Sequence, residues 1–198
     1  MKTAIYLFGA LAFAAAANAA TITCSFNSPT GDLGSTTHTY SCGGFNITAT
    51  AFGGGNLYGK NDGGDEVGVG LTNDPSGDHE ITPGNFIQLD LQNILGNNPM
   101  SLIINSNTLT DRATIYNTNT AGAITGGSAL VTSTALEGAF ALSPTGRYLD
   151  VTATAGNILL GPLTFTTSSV PEPASLGMIA CGLLSLGLIR RRISAPRA

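Results

Sequence analysis

Six carboxylates fall within nineteen residues: Asp62, Asp65, Glu66, Asp74, Asp78 and Glu80. Lys60, Asn61, Asn73 and His79 share the stretch. Carboxylates this dense repel one another in a folded loop unless water or a cation lies between them. Calcium takes about six to eight oxygen ligands, and Asn side chains and backbone carbonyls serve beside carboxylates. The cluster is therefore a candidate Ca²⁺ site, and Ca²⁺ is the one cofactor the residues suggest. Its spacing is not that of an EF-hand, and no glycine–aspartate repeat recurs as in a calcium-binding β-roll. The competing reading is a solvated acidic loop with no cofactor.

Catalytic patterns are sparse. The chain has two histidines, His38 and His79. They form no His-Glu-x-x-His pair for zinc, and no Gly-x-Ser-x-Gly elbow occurs. Gly53-Gly54-Gly55 precedes Lys60 without the spacing of a phosphate loop. A glycosidase needs two of the acids to meet in space, and no spacing rule selects two. No catalytic residue is assigned, and the chain reads as a non-enzyme. A ligand-binding role is easiest to place on Tyr58, which is expected in a glycine-rich loop and could stack on a sugar ring. The alternative for Tyr58 is a turn anchor packed on the fold.

The two ends of the chain are apolar and the middle is not. Met1-Lys2 forms a short positive segment, 3–16 is apolar, and Ala17-Asn18-Ala19 has the small-x-small form that signal peptidase cleaves. Residues 1–19 thus read as a signal helix, with the mature chain starting at Ala20. Val170-Pro171-Glu172-Pro173 precedes an uncharged run of sixteen residues, 174–189, and then Arg190, Arg191 and Arg192. As a helix the run is about 24 Å long, short against a hydrocarbon core of about 30 Å. Snorkelling arginines and local thinning make up the difference. The prolines keep the helix from starting earlier. The three arginines act as stop-transfer charges on the cytoplasmic side, which leaves everything before Pro171 outside. A buried core helix with a basic end is the other reading of this run.

The order of these parts resembles the tail of PEP-CTERM proteins, exported proteins of Gram-negative bacteria. The resemblance covers 170–198. It implies that Pro171, Glu172 and Pro173 are the recognition element of an exosortase-type processing protease, and that 174–189 is a transient transmembrane anchor. It further implies release toward the cell surface in a setting of exopolysaccharide production. The tail is then a substrate and confers no activity on this chain. A looser resemblance to the bodies of such proteins lies in Gly68-Val69-Gly70-Leu71, the Asp/Asn-rich loop after it and His79-Glu80-Ile81. That one implies architecture only.

Between the two ends lie residues 20–169, enough for one domain with a core of its own. Lys60, Arg112 and Arg147 stand against eleven carboxylates, a net charge of −8 with histidines neutral. Phosphate contacts dominate nucleic-acid affinity, so this sign excludes a nucleic-acid binder and favours cations. Cys24 and Cys42 are the cysteines of the body. In an oxidising compartment they are expected to pair, and a loop of that size is worth about 3 kcal/mol. Cys181 falls within the apolar run and reads as a packing residue.

Gly, Thr, Asn and Ser dominate the body, and short runs of alternating apolar residues recur between turn signals. Strands are expected over 21–26, 36–41, 45–51, 67–71, 86–91, 101–104, 113–116, 129–133, 138–142, 148–155 and 158–165. Segments 21–26 and 36–41 read as a hairpin holding the two cysteines. Segment 101–104 reads as a strand buried on both faces. In 148–155, Leu149, Val151 and Ala153 point inward while Asp150, Thr152 and Thr154 point outward. A kink is expected at Pro162 and one helical turn near 93–98. About ten antiparallel strands of this kind pack as an all-β sandwich, jelly-roll-like.

The expected role is a non-enzymatic cell-surface or extracellular-matrix protein, anchored first in the inner membrane and then processed. Its expected partners are signal peptidase, the processing protease, the membrane through the tail, and exopolysaccharide. A carbohydrate- or calcium-binding adhesive module is the alternative, and a polysaccharide-active enzyme the third reading.

Overall fold

The computed structural model describes residues 19–167 apart from 109, 125 and 133–137. Residues 1–18, in the expected signal helix, and the expected sorting tail, with Pro171, Glu172, Pro173, Cys181 and Arg190 to Arg192, lie outside the described residues. Residues Ala20–Ser168 form one compact unit.

Among the described residues there are thirteen strands and no helix. In chain order these are β1 (Thr21–Cys24), β2 (Gly31–Asp32), β3 (Thr37–Cys42), β4 (Phe45–Phe52), β5 (Leu57–Asn61), β6 (Val67–Leu71) and β7 (Phe86–Asp90). Then come β8 (Met100–Asn105), β9 (Arg112–Thr118), β10 (Ser128–Thr132), β11 (Gly138–Leu142), β12 (Tyr148–Ala155) and β13 (Leu159–Thr166). All pair antiparallel, in two sheets. Sheet A runs β11-β8-β13-β6-β5-β2, with β1 also on β13, and sheet B runs β10-β9-β12-β7-β4-β3.

The core lies between the sheets and follows the period of two. Sheet B contributes Ile47, Ala49, Ile87, Leu89, Leu149, Val151 and Ile115, and sheet A contributes Leu57, Val69, Leu71, Leu102, Leu160, Leu163 and Phe165. Each fully buried Leu, Ile or Phe side chain contributes about 1.5–3 kcal/mol. The register aligns Ala51, Ile87, Val151 and Ile115 across four neighbouring strands. One row of sheet B is thus apolar from β4 to β9.

The expected hairpin does not form. β1 pairs with β13, Thr21 opposite Thr166 and Cys24 opposite Leu163, whereas β3 pairs with β4. Between them Phe26 is fully buried and carries the chain across the core, against Tyr40 at 5.0 Å. The Cys24–Cys42 disulfide does form, with Cα atoms 5.0 Å apart, inside the usual range. It joins a strand of sheet A to a strand of sheet B, so it ties the two layers together.

Three further expectations need correction. β8 is not buried on both faces: Leu102 and Ile104 are inside, while Ser101 and Ile103 are half-exposed. Asp150 and Thr152 do project from the outer face of β12, yet both are buried, because chain folds over that face. β2 and β5 bring the strands to thirteen rather than about ten. The kink at Pro162 appears as a register shift between Leu160 and Leu163, where a missing N–H removes no ladder bond. The turn near 93–98 is a single helical one, with Leu95 N donating to Leu91 O at 2.9 Å.

Candidate functional site

The acidic stretch is built on the hairpin of β5 and β6. Val69 and Leu71 point into the core, so Gly68 and Gly70 point out, opposite Lys60 and Tyr58. The chain from Asp74 to Ile81 then crosses this outer face. It lies so close that a Cβ on Gly70 would stand 2.0 Å from the His79 carbonyl oxygen. That contact is the physical reason for glycine at position 70, which lets a second layer of backbone sit on the sheet, whereas a Cβ on Gly68 would stand 2.5 Å from the Leu160 carbonyl oxygen of β13.

The six carboxylates do not converge. Lys60 Nζ pairs with Glu66 and lies 3.5 Å from Glu80 Oε1, and both Lys60 and Glu80 are buried. Asn107 Nδ2 donates to the other Glu66 oxygen at 2.6 Å. Asp74 turns into its own loop and accepts Ser76 N at 3.0 Å, the Ser76 hydroxyl at 2.5 Å and Glu80 N at 3.2 Å. Asp62, Asp65 and Asp78 are exposed. Among the described residues no group of three His, Cys, Asp or Glu gathers as metal ligands do. The ammonium of Lys60 stands where a cation between Glu66 and Glu80 would stand, so Ca²⁺ would have to displace it.

Burial sets the protonation here. Burial pushes the Glu80 carboxyl up to about 7, against the pull of Lys60 and with help from Glu66 and Asp78. Burial pulls Lys60 down, but Glu66 and Glu80 outweigh it and hold the ammonium above its ordinary value. Asp74 is raised by burial and lowered more by the Ser76 hydroxyl and the backbone N–H groups, so it ends below its ordinary value.

Tyr58 is on strand β5 rather than in a loop, and its ring stacks on His79 at 3.9 Å. His79 is half-buried, adopts φ 60° and keeps Nδ1 buried without a hydrogen-bond partner among the described residues. One face of the Tyr58 ring is therefore occupied from within the chain. His38 packs edge-on against Tyr40 at 4.6 Å.

A second polar cluster was not signalled by the sequence. On the outer face of sheet B, Gln88 Nε2 donates to Asp150 Oδ1 at 2.7 Å and to Thr120 O at 3.3 Å, and Gln88 Oε1 accepts from Gly122 N at 3.1 Å. Asp150 is 0 % exposed, and its Oδ2 has no partner among the described residues. Burial pushes its carboxyl up to about 6, with Gln88 opposing. Beside it, Arg147 clamps Asp90 with two hydrogen bonds, Nε to Oδ1 at 2.9 Å and Nη2 to Oδ2 at 2.6 Å. That pair holds Asp90 well below the usual carboxylate range. A groove of about 240 Å³ opens there, lined by Thr48, Thr50, Phe52, Gln88, Asp90, Ala121 and Tyr148. The outward-facing pattern of β4, β7 and β12 was the available signal, but it reads as solvent-facing until the covering loop is known.

No family model, no curated protein and no solved structure matches the chain.

Proposed function

We propose that the protein is an exported, non-enzymatic component of the cell surface or extracellular matrix, delivered by its C-terminal tail and held in an exopolysaccharide layer. One observation carries the reading: Pro171-Glu172-Pro173, an uncharged run and Arg190-Arg191-Arg192 follow one another in sorting-tail order. The resemblance to PEP-CTERM tails assigns the cleavage to an exosortase-type protease. One feature of the body supports export: its cysteines are joined as a disulfide, which persists in oxidising compartments.

The sandwich itself reads as jelly-roll-like, because most connections after β4 pass from one sheet to the other. Such a body presents two broad faces and needs no chemistry to serve in a polymer layer. A variant ending at Ser169 tests the sorting role. Expressed in the native producer, it should fold, form its disulfide and leave the cell surface for the soluble fraction. Full-length-like surface retention of that variant would remove the tail from the account.

A further inference from the structure

A flat sheet face holds ligands poorly, and the outer face of sheet B is not flat. Between β9 and β10 the chain folds back over β12 and β7. Gln88 pins it there with both ends of its amide, and Gly122 packs against the Phe52 ring, where a Cβ would stand 3.1 Å away. The buried Gln88–Asp150 pair anchors this wall from beneath. The result is the groove, with Ala121 in the wall and Thr48, Thr50 and Asp90 on the strands below.

We propose that this groove binds one or two pyranose units of a neutral glycan. The lining has the two kinds of surface such a ring needs. Phe52, stacked on Phe86 at 4.6 Å, and the Ala121 methyl offer apolar contact to a sugar C–H face. Thr48, Thr50, Tyr148 and Asp90 offer hydroxyls and carboxylate oxygens to its hydroxyl rim. Thr48 and Thr50 each share one hydrogen bond with a β3 threonine, at 2.9 Å and 3.4 Å, and a hydroxyl has further donor and acceptor capacity. A purely apolar ligand would leave that further capacity unused.

Charge and size narrow the class. Asp90 is the ionised residue of the lining, and Arg147 neutralises it. The groove thus offers no free cation to a phosphate, sulfate or uronate, and a body of net charge −8 repels polyanions. At about 240 Å³ it is smaller than pockets for drug-sized ligands, which start at roughly 300 Å³. One or two sugar rings fit that scale. The inference does not depend on the fate of the tail, so its failure would leave the sorting role untouched.

A glycan array settles it, with neutral gluco-, galacto-, manno- and rhamno-oligosaccharides spotted beside uronate-containing ones and probed with the mature secreted protein. Binding to at least one neutral class is expected, with none to the acidic ones. Ala121→Trp, at an exposed wall position, keeps the fold and should weaken that binding tenfold or more. Phe52→Ala should do the same. An array without neutral hits, hits on uronates only, or neutral binding that survives Ala121→Trp in a protein with unchanged melting would overturn the proposal.

Discussion

The outer faces of the two sheets make opposite use of polar residues. On sheet A, the acidic stretch folds onto β5 and β6 and satisfies itself: Lys60 lies between Glu66 and Glu80, Asp74 caps its own loop, and His79 covers Tyr58. On sheet B, ordinary threonines, a glutamine and an alanine surround an open groove. The contrast teaches that a dense run of ionisable residues measures how much polar satisfaction the fold must arrange. The groove, by contrast, is lined by residues that attract no notice in a list of motifs.

The sharpest way to break the contrast is to remove the cation that closes the sheet A face. Lys60→Met leaves Glu66 and Glu80 facing each other in a buried site and should destabilise the body by about 3–5 kcal/mol at pH 7.5. The loss should shrink in acid. The Glu80 carboxyl is raised from an ordinary 4.5 to about 7, so its contribution to stability is complete below about 4.5 and lost as pH rises through 7. Urea melts of both proteins at pH 5 and 7.5 would show it, and equal losses at the two pH values would refute the closed-cluster description.

Next in size is Gly70→Ala. The added methyl would meet backbone at 2.0 Å from the His79 carbonyl oxygen and 2.9 Å from Glu80 Cα, and backbone cannot step aside cheaply. About 3 kcal/mol should be lost, together with the fluorescence signature of the Tyr58–His79 stack. A silent substitution would mean that the second layer is not seated on β6.

On the other face the sign reverses. Asp150→Asn should stabilise the body by about 2 kcal/mol at pH 7.5. The native carboxyl is raised from 3.8 to about 6, so the stability it allows is full below about 4 and falls as pH rises through 6. The variant should lose that slope in a thermal-melt series from pH 4 to 8. The smallest effect belongs to Arg147→Ala. The side chain is 42 % exposed, so water screens its pair with Asp90 and the drop in melting temperature should be the smallest of the set. Asp90 then stands uncompensated in the groove, so the substitution separates groove charge from fold stability.

Period-two alternation located most strands because the pleat imposes it directly, as in Ile47, Ala49 and Ala51 or Leu149, Val151 and Ala153. It left β5 unread, since Gly59, Lys60 and Asn61 look like loop and only Leu57 reaches the central core. Alternation also carries no information about partners. The stretch 21–26 followed by turn residues suggested a hairpin, while the fully buried Phe26 was the clue that the chain crosses the core instead. The cysteine pair was legible because compartment and loop length both favoured it, though not that it would bridge two sheets. Asp150 and Gln88 could not be found at all. Their burial depends on Thr120, Ala121 and Gly122, small residues with no apolar signal of their own.

The central claim is delivery to the surface with both ends removed, and the intact mass of the surface-extracted protein tests it most directly. Measured without reductant, the mass should correspond to a chain starting at Ala20, ending at or near Pro171–Pro173 and carrying one disulfide. The cut near the Pro-Glu-Pro motif should vanish in cells lacking the processing protease. A surface form that retains Arg190 to Arg192, or a tail cut that persists without the protease, would contradict the account.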